Sequence, residues 1–309
     1  MTLPWPDVVD EILDGDHALM LAYATPAKGV VLLPVSNFAV LDRAAGVVSS
    51  VNTSVGAWRK LERIRRNPRV ALAFHTREHA ATDRPEYVLV QGTASLGPPV
   101  EDYPSTILDI WERFEPWADQ GRLWKRWRRV YALRIPIRVA VERVLVWPDP
   151  ACRGPVEGHG TPLPADPPAP QREPKKGTAP RINAARAAKQ AARLPHALLG
   201  WVGADGFPVA VPVEVAGSDE RGILLDAPDG LVPPGGRRAG LTAHWFSRSV
   251  IGQNQRKHTG WLDAGKELVY APHTQSNYRF PAFEPLFKLV SGGFTRLGVR
   301  GARRAGFVP

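Results

Sequence analysis

The chain has 309 residues, 44% of them hydrophobic, with ten tryptophans; that is enough for two domains that each bury a core, and it excludes a disordered polymer. A formal charge of +10 favours an anionic partner, whether nucleic acid, an acidic membrane surface or a phosphorylated small molecule. The single cysteine, Cys152, excludes an intrachain disulfide and a thiolate zinc site, and no apolar run approaches the ~18 residues of a membrane-spanning helix.

The N-terminal segment is acidic and lacks the basic and apolar regions of a signal peptide, so a cytoplasmic protein is expected. Pro4 and Pro6 precede a short helix over residues 8–13, whose apolar side chains recur at helical spacing. Five strands follow, in HALMLAYAT, GVVLLPVSNFAV, AGVVSSVN, RVALAFHT and YVLVQGTASL, each rich in Val, Leu and Ala and bounded by turn formers. A helical stretch is predicted from Trp111 to Tyr131, then a last strand interrupted by Pro136. A mostly antiparallel barrel is the natural closure, because open strands of this length would leave exposed edges.

From Pro148 to Pro180 the density of proline predicts an exposed linker without helix or strand interior. An Ala-rich helix over residues 181–194 then introduces a second set of strands that repeats the first. HALM at His17 returns as HALL at His196, LLPV ending at Val35 as VAVPV ending at Val213, and GVVSS from Gly46 as GILLD from Gly222. RVALAFH ending at His75 returns as RAGLTAH ending at His244, and VLVQGTA around Gly92 as RKHTGWL around Gly260. The domains expected are therefore 1–150, a linker over 151–180, and a degenerate second copy over 181–309. Being repeated, His75 and His244 read as shared ancestry rather than paired catalysis.

One segment is not repeated. Between Gly46 and Arg69 the first copy carries SSVNTSVGAWRKLERIRRNP, where the second has only LDAPDGLVPPGGR. Thr53 or Ser54 can cap a helix here, Val55, Trp58, Leu61 and Ile64 form its buried stripe, and Asn67-Pro68 stops it. A helix N-terminus directly after a core strand, with Arg59, Lys60, Arg63 and Arg66 on the helix, is a phosphate-binding arrangement. A second candidate is the segment with Trp111, Trp117, Trp124 and Trp127 among Arg122, Lys125, Arg126, Arg128 and Arg129; it suits either nucleic acid or packing across the barrel mouth. No HExxH, GxSxG, GxxxxGK or zinc-ligand spacing is present, so no metal is expected and no catalytic residue is identified.

LLPVSNF, GVVSS, a lysine helix ending RRNPRVALAF, and YVLVQGTASL together resemble the pyridoxamine 5′-phosphate oxidase-like split β-barrels, more closely their flavin- and deazaflavin (F420)-dependent oxidoreductase relatives. The resemblance covers residues 15 to 97 and, more weakly, the strand order of the second copy. It implies a mainly β fold with short helices, built as two tandem split β-barrels that form an intrachain pseudo-dimer. It also implies FMN or F420 in a groove between barrels, and oxidoreductase chemistry on a small-molecule substrate. By position, the resemblance assigns Lys60 to the phosphate, with Thr53 and Ser54 nearby. Pro34, Val35 and Ser36 fall along the ring edge, Ser49, Ser50 and Val51 beside the ring, and Gln91 on the groove wall. The chain departs from the family pattern in Asn52-Thr53-Ser54 and in Trp58, which replaces a position that is often basic. The second copy is expected to complete the groove through His244, Trp245, Phe246 or Trp261, and the C-terminal arginines Arg296, Arg300, Arg303 and Arg304 either to add charge there or to form a solvated tail. No specific nucleic acid and no membrane partner is expected, and the chain is expected to be a monomer with an internal pseudo-dimer or a homodimer. The alternatives are a cofactor-free or haem-binding split barrel and a nucleic-acid-binding protein.

Overall fold

A computed structural model describes residues 5–308; Pro4 lies outside them. The chain begins with α1 (Asp7–Gly15), β1 (Ala18–Ala24), β2 (Val30–Ser36), β3 (Leu41–Asp42) and β4 (Val47–Ser54). A 3-10 turn (Val55–Ala57) leads into α2 (Trp58–Arg66), then β5 (Arg69–Phe74) and β6 (Tyr87–Leu96). Three short helices, α3 (Tyr103–Thr106), α4 (Leu108–Trp111) and α5 (Arg122–Ala132), precede β7 (Arg134–Trp147). The connection carries β8 (Glu157–Gly160), and α6 (Ala184–Ala191) opens the second half. There follow β9 (His196–Val202), β10 (Pro208–Pro212), β11 (Glu214–Ser218), β12 (Ile223–Asp226), β13 (Gly235–Phe246), β14 (Gln253–Ala264), β15 (Leu268–Phe280) and the closing helix α7 (Glu284–Arg304).

The two sheets run β2-β1-β5-β6-β7-β4-β3 and β10-β9-β13-β14-β15-β12-β11, with all main pairings antiparallel, so the repeat seen in the strand patterns is a repeat of topology. In each sheet the chain itself joins the two edges. In the first, residues 37–40 pass from β2 towards β3, and the Asn37 N–H donates to His17 O (3.0 Å) while the Phe38 N–H donates to Ser50 O (2.9 Å). In the second, the Val213 N–H donates to Ala197 O (3.0 Å) in the equivalent place. Gly92 and Gly260, paired by the repeat, both sit where a Cβ would run into the carbonyl of the next strand, Ala140 O and Ala271 O respectively. Each marks a register shift that lets the sheet curl.

Every residue of β1 is buried, because the strand is covered on both faces. Leu19, Leu21 and Tyr23 point into the first barrel's core, whereas Met20 and Ala22 join Leu32, Leu89, Leu198 and Ala210 between the barrels. This is an intrachain pseudo-dimer of two mainly β domains. Polar ties cross it: the Thr242 hydroxyl donates to Leu32 O (3.0 Å), and the Tyr87 hydroxyl donates to Ala210 O (2.5 Å), the equivalent carbonyl of the other copy. His75 Nε2 and His244 Nε2 lie 2.8 Å apart, and since these residues are repeat equivalents, their contact marks the pseudo-two-fold axis. Their recurrence thus has a structural cause.

Several sequence expectations need correction. The helical stretch from Trp111 to Tyr131 is broken, because Pro116 disfavours a helical Glu115 and α5 restarts only after Gly121. Pro136 does not interrupt β7, which runs through it opposite Asn52. The linker contains strand β8, which pairs with β7 and anchors at Arg143 Nη1 to Pro162 O (3.0 Å). Farther along it, Gln171 donates from its backbone to Gly236 O and from its side chain to Lys28 O, so this segment ties both barrels. The C-terminal arginines belong to a helix rather than a tail. α7 leaves the second barrel and inserts Ala302 and Phe307, beyond its end, into the core of the first.

Two outcomes follow from this packing. Phe307→Ala should destabilise the whole chain by about 3 kcal/mol in denaturant unfolding, as for other core phenylalanines; an unchanged midpoint would show that the terminus is not part of the first core. The buried pair His75 and His244 is held neutral, His75 down to about 3 by burial and by neighbouring His196, and His244 well below the ordinary imidazole range by burial and by both other histidines. Unfolded imidazoles titrate near about 6.5, so the unfolded state gains protons that the folded state refuses, and stability contributed by the pair is lost as pH falls below that value. The fall in thermal midpoint between neutral and mildly acid pH should be shallower in His75→Gln/His244→Gln than in wild type.

Candidate functional site

A cavity of about 450 Å³ lies between the barrels. The first copy supplies residues 33–36 of β2, Asn52, Thr53 and Ser54 of β4, and the start of α2 through Lys60. The second copy supplies Gln253, Gln255 and Lys257 from β14, Tyr278 and Phe280 from β15, and Phe287, Ser291, Phe294 and Thr295 from α7. Phe38, Tyr131, Tyr278 and Phe280 give it an aromatic wall, and cationic groups lie against two of these rings, Lys257 Nζ 5.6 Å from the Tyr278 ring centre and the Arg134 guanidinium beside Tyr131.

α2 forms as the spacing requires: Val55, Leu61 and Ile64 enter the core, Trp58 packs against it, and the Asn67 N–H closes the helix on Arg63 O (2.9 Å). The hydroxyl of Ser54 caps the 3-10 turn by accepting from the Gly56 N–H (3.3 Å), and it donates to Thr295 Oγ1 (3.2 Å) on α7. A Cβ on Gly298 would run into Gly56, so α7 crosses this turn with backbone nearly touching backbone. Lys60 therefore points inward beneath α7. Arg59 is exposed beside Trp58, and Arg66 is exposed and pairs with Glu62 at 2.7 Å.

Lys60 is only 7% exposed and has neither a carboxylate nor a hydrogen-bond partner among the described residues. Burial, reinforced by the charges of Arg134 and Lys257, pushes its ammonium down to about 7. Lys257 is itself pushed down to about 8 by burial. Arg134 lies 4.1 Å from the Tyr131 ring centre and 5.2 Å from that of Trp111, with its Nε unpartnered. Both polar atoms of the Asn52 side chain, Thr53 Oγ1 and Gln255 Oε1 are also buried without partners. The only carboxylate on the wall among the described residues, Glu115, is taken up by fully buried Arg128 at 2.9 Å and by Trp111 Nε1 at 3.1 Å. Buried polar groups are ordinarily paired and buried cations ordinarily neutralised, so these groups could hold an anion that also offers hydrogen-bonding edges.

Of the sequence-derived residues, Pro34, Val35, Ser36, Thr53, Ser54 and Lys60 line the cavity, whereas Ser49, Ser50, Val51 and Gln91 do not. The reason lies in β4, whose register against β7 shifts between Val48 and Val51. At that bulge the Ser49 and Ser50 backbones turn to the segment after β2, Ser50 is fully buried, and Val51 enters the first core. Gln91 sits elsewhere in the interface, donating to Pro208 O (2.6 Å) and accepting from Arg143 Nε (2.5 Å). The structure also places the residues expected from the second copy away from the cavity. His244 is at the axis, Phe246 packs with Val250, Trp261 lies in the second barrel, and none of these lines the cavity; nor does Trp245.

Gln255 and Lys257 were missed, although the repeat contained their signal. Ala73 pairs with Leu89 in the first copy and Thr242 with Lys257 in the second, so Lys257 stands where the first copy has leucine, and Gln255 where it has Tyr87. Tyr87 and Leu89 fill the equivalent space on the other side of the axis, together with Leu145, Trp147 and Cys152. The pseudo-dimer thus has one groove polar and open and its counterpart packed with apolar side chains. In the tryptophan-rich segment, Trp111 and Trp117 are buried and Arg128 is sealed against Glu115, so these groups pack across the barrel mouth.

No family model and no curated protein sequence matches the chain. Among solved structures, it is similar to a conserved hypothetical protein from Mycobacterium tuberculosis at 18% identity, over 49% of this chain and 89% of that one, with a TM-score of 0.33. It is similar to an F420 reductase at 17% identity, over 44% of this chain and 94% of that one, with a TM-score of 0.33. It is also similar to a pyridoxamine 5′-phosphate oxidase-related, FMN binding protein from Nostoc punctiforme at 12% identity, over 52% of this chain and 98% of that one, with a TM-score of 0.32. Each match covers about half of this chain.

The uncompensated Lys60 has a measurable signature. Its folded value lies below that of an unfolded lysine, so without a ligand the unfolded state holds the proton more tightly, and stability contributed by this group rises with pH from about 7 to about 10.5. Lys60→Met should remove that slope and raise ligand-free stability at neutral pH. Equal slopes in wild type and variant would mean that Lys60 has a counter-charge.

Proposed function

We propose that the chain binds a phosphorylated flavin or deazaflavin, FMN or F420, in the cavity between its barrels and acts as an oxidoreductase, transferring hydride to or from a small molecule. The observation that carries this reading is the buried, unpaired Lys60, flanked by Arg134 and Lys257, in an aromatic-walled cavity. The residues present fit such a group. Lys60 and its cationic neighbours would hold the phosphate, Asn52, Thr53 and Gln255 offer unsatisfied donors and acceptors to the polar edge of a ring system, and Phe38, Tyr278 and Phe280 exclude water from its faces. With an ammonium near pH 7, Lys60 takes up a proton as the anion arrives, so binding completes the charge that burial had suppressed.

The cofactor when bound supplies the redox chemistry, and the chain supplies position and electrostatics. No histidine and no free carboxylate lines the cavity among the described residues, so Lys60, pushed down to about 7, is the lining group placed to take up or release a proton nearest neutral pH. A haem reading has less support, since among the described residues no histidine, cysteine or methionine lines the cavity, and the hydroxyls of Tyr131 and Tyr278, its tyrosines beside the aromatic wall, are held above the ordinary phenol range by burial.

Absorbance and calorimetric titration of the purified chain with FMN and with F420 test this directly. Saturable binding of one of them is expected, with Lys60→Glu weakening it about tenfold to a hundredfold, the cost of losing a charge-assisted hydrogen bond. Failure of wild type to bind either cofactor would overturn the reading, and equal affinity in the variant would remove Lys60 from the site.

A further inference from the structure

We propose that the outer face of α5 and α7 docks on an anionic lipid surface. Six of the nine exposed large apolar side chains among the described residues belong to these two helices or the residue before α7: Leu123, Phe283, Leu286, Leu289, Phe294 and Leu297. Leu286, Leu289 and Leu297 recur along one face of α7 and are 45%, 51% and 85% exposed. The opposite face carries Phe287, Ser291, Thr295 and Ala302 and is buried against the barrels. An apolar stripe of this kind on a soluble surface marks an interaction site.

The charge around the stripe says what it meets. Arg296, Arg300 and Arg304 are exposed on α7, and Arg122, Lys125 and Arg126 on α5, with Arg129 paired to Glu101 at 3.5 Å; the two helices are joined by Trp127 Nε1 donating to Leu289 O (3.2 Å) and by Arg296 over the Trp127 ring at 3.8 Å. α5 contains no acidic residue, and the Glu284 of α7 is paired with Lys288 at 2.5 Å. Arginines beside exposed leucines match the headgroups and acyl boundary of an anionic bilayer. A second copy of this chain fits less well, because isologous pairing would set one cationic patch against another. Nucleic acid fits less well too, since four of the six exposed apolar groups are leucines, which offer no face for a base to stack on, and Trp111 and Trp117 are buried. No described helix is long and apolar enough to cross a membrane, so α7 lies on the surface.

The assignment departs from the sequence-based expectation of no membrane partner, and it stands independently of the cofactor reading. Its consequence for the cavity is positional: Phe294, 43% exposed, also lines the cavity, so docking places the cavity rim at the lipid boundary.

Sedimentation of the full chain with vesicles of phosphatidylcholine, with and without phosphatidylserine, at physiological salt tests the proposal. Binding to the phosphatidylserine vesicles alone is expected. Leu286→Ser/Leu289→Ser/Leu297→Ser and, separately, Arg122→Gln/Arg126→Gln/Arg300→Gln should each lower the bound fraction at least tenfold, at roughly fivefold per arginine near the surface. Both variants change exposed side chains, and unchanged thermal unfolding confirms that they fold. No binding to either vesicle overturns the proposal. So does a dimer in analytical ultracentrifugation that the leucine variant dissolves, which assigns the face to a second copy. Single-stranded DNA binding lost in the arginine variant but kept in the leucine variant, without vesicle binding, assigns it to nucleic acid.

Discussion

Two sheets that each carry an apolar outer face must cover that face, and in this chain they cover each other. Met20, Ala22 and Leu32 of one copy meet Leu198 and Ala210 of the other, and the pair of equivalent histidines closes the contact at its axis. A free single barrel would expose this surface to water and to other chains. Carrying both barrels in one polypeptide makes the contact intramolecular, and the proline-rich connection, pinned at Gln171 to both barrels, limits how far they can separate.

Joining the copies also releases them from symmetry. In a homodimer every substitution appears twice, so a lysine that opens one groove opens both. Here Lys257 and Gln255 line one groove while their equivalents Leu89 and Tyr87 fill the other, and only the first copy retains the α2 insert that presents Lys60. Burying Lys60 and Arg134 beside half-buried Lys257 around a shared space, with no free carboxylate among the described residues, destabilises the ligand-free protein. The surrounding structure tolerates this because the core of the first barrel, capped by α1, α2 and the end of α7, is continuous. The strain is local and sits where a bound anion would relieve it.

α7 belongs to both halves. It leaves β15 of the second barrel, roofs the cavity with Phe287, Ser291 and Thr295, crosses the turn before α2 at Gly298, and ends with Phe307 in the core of the first barrel. A boundary drawn at the proline-rich segment therefore falls between β7 and β9 but cuts the first core from part of its own filling. The small residues along the buried face of α7 are the cause, since only there can the helix backbone approach the turn so closely.

The sequence by itself determined the duplication, the strand order within each copy, and the α2 insert with its buried stripe of Val55, Trp58, Leu61 and Ile64, whereas the burial of Lys60 emerged only from the packing of α7. The former follow from local periodicity and from comparison of the copies, which need no knowledge of what packs on what. Tertiary structure alone decided which side chains share the cavity. A bulge after Val48 took Ser49 and Ser50 out of reach and turned Val51 into the core, the break at Pro116 split the tryptophan-rich segment into separate helices, and the approach of β14 and α7 across the interface brought Lys257, Gln255 and Phe294 to a lysine some two hundred residues away in the chain. Such contacts depend on how two surfaces fit in three dimensions, and linear spacing carries no record of that fit.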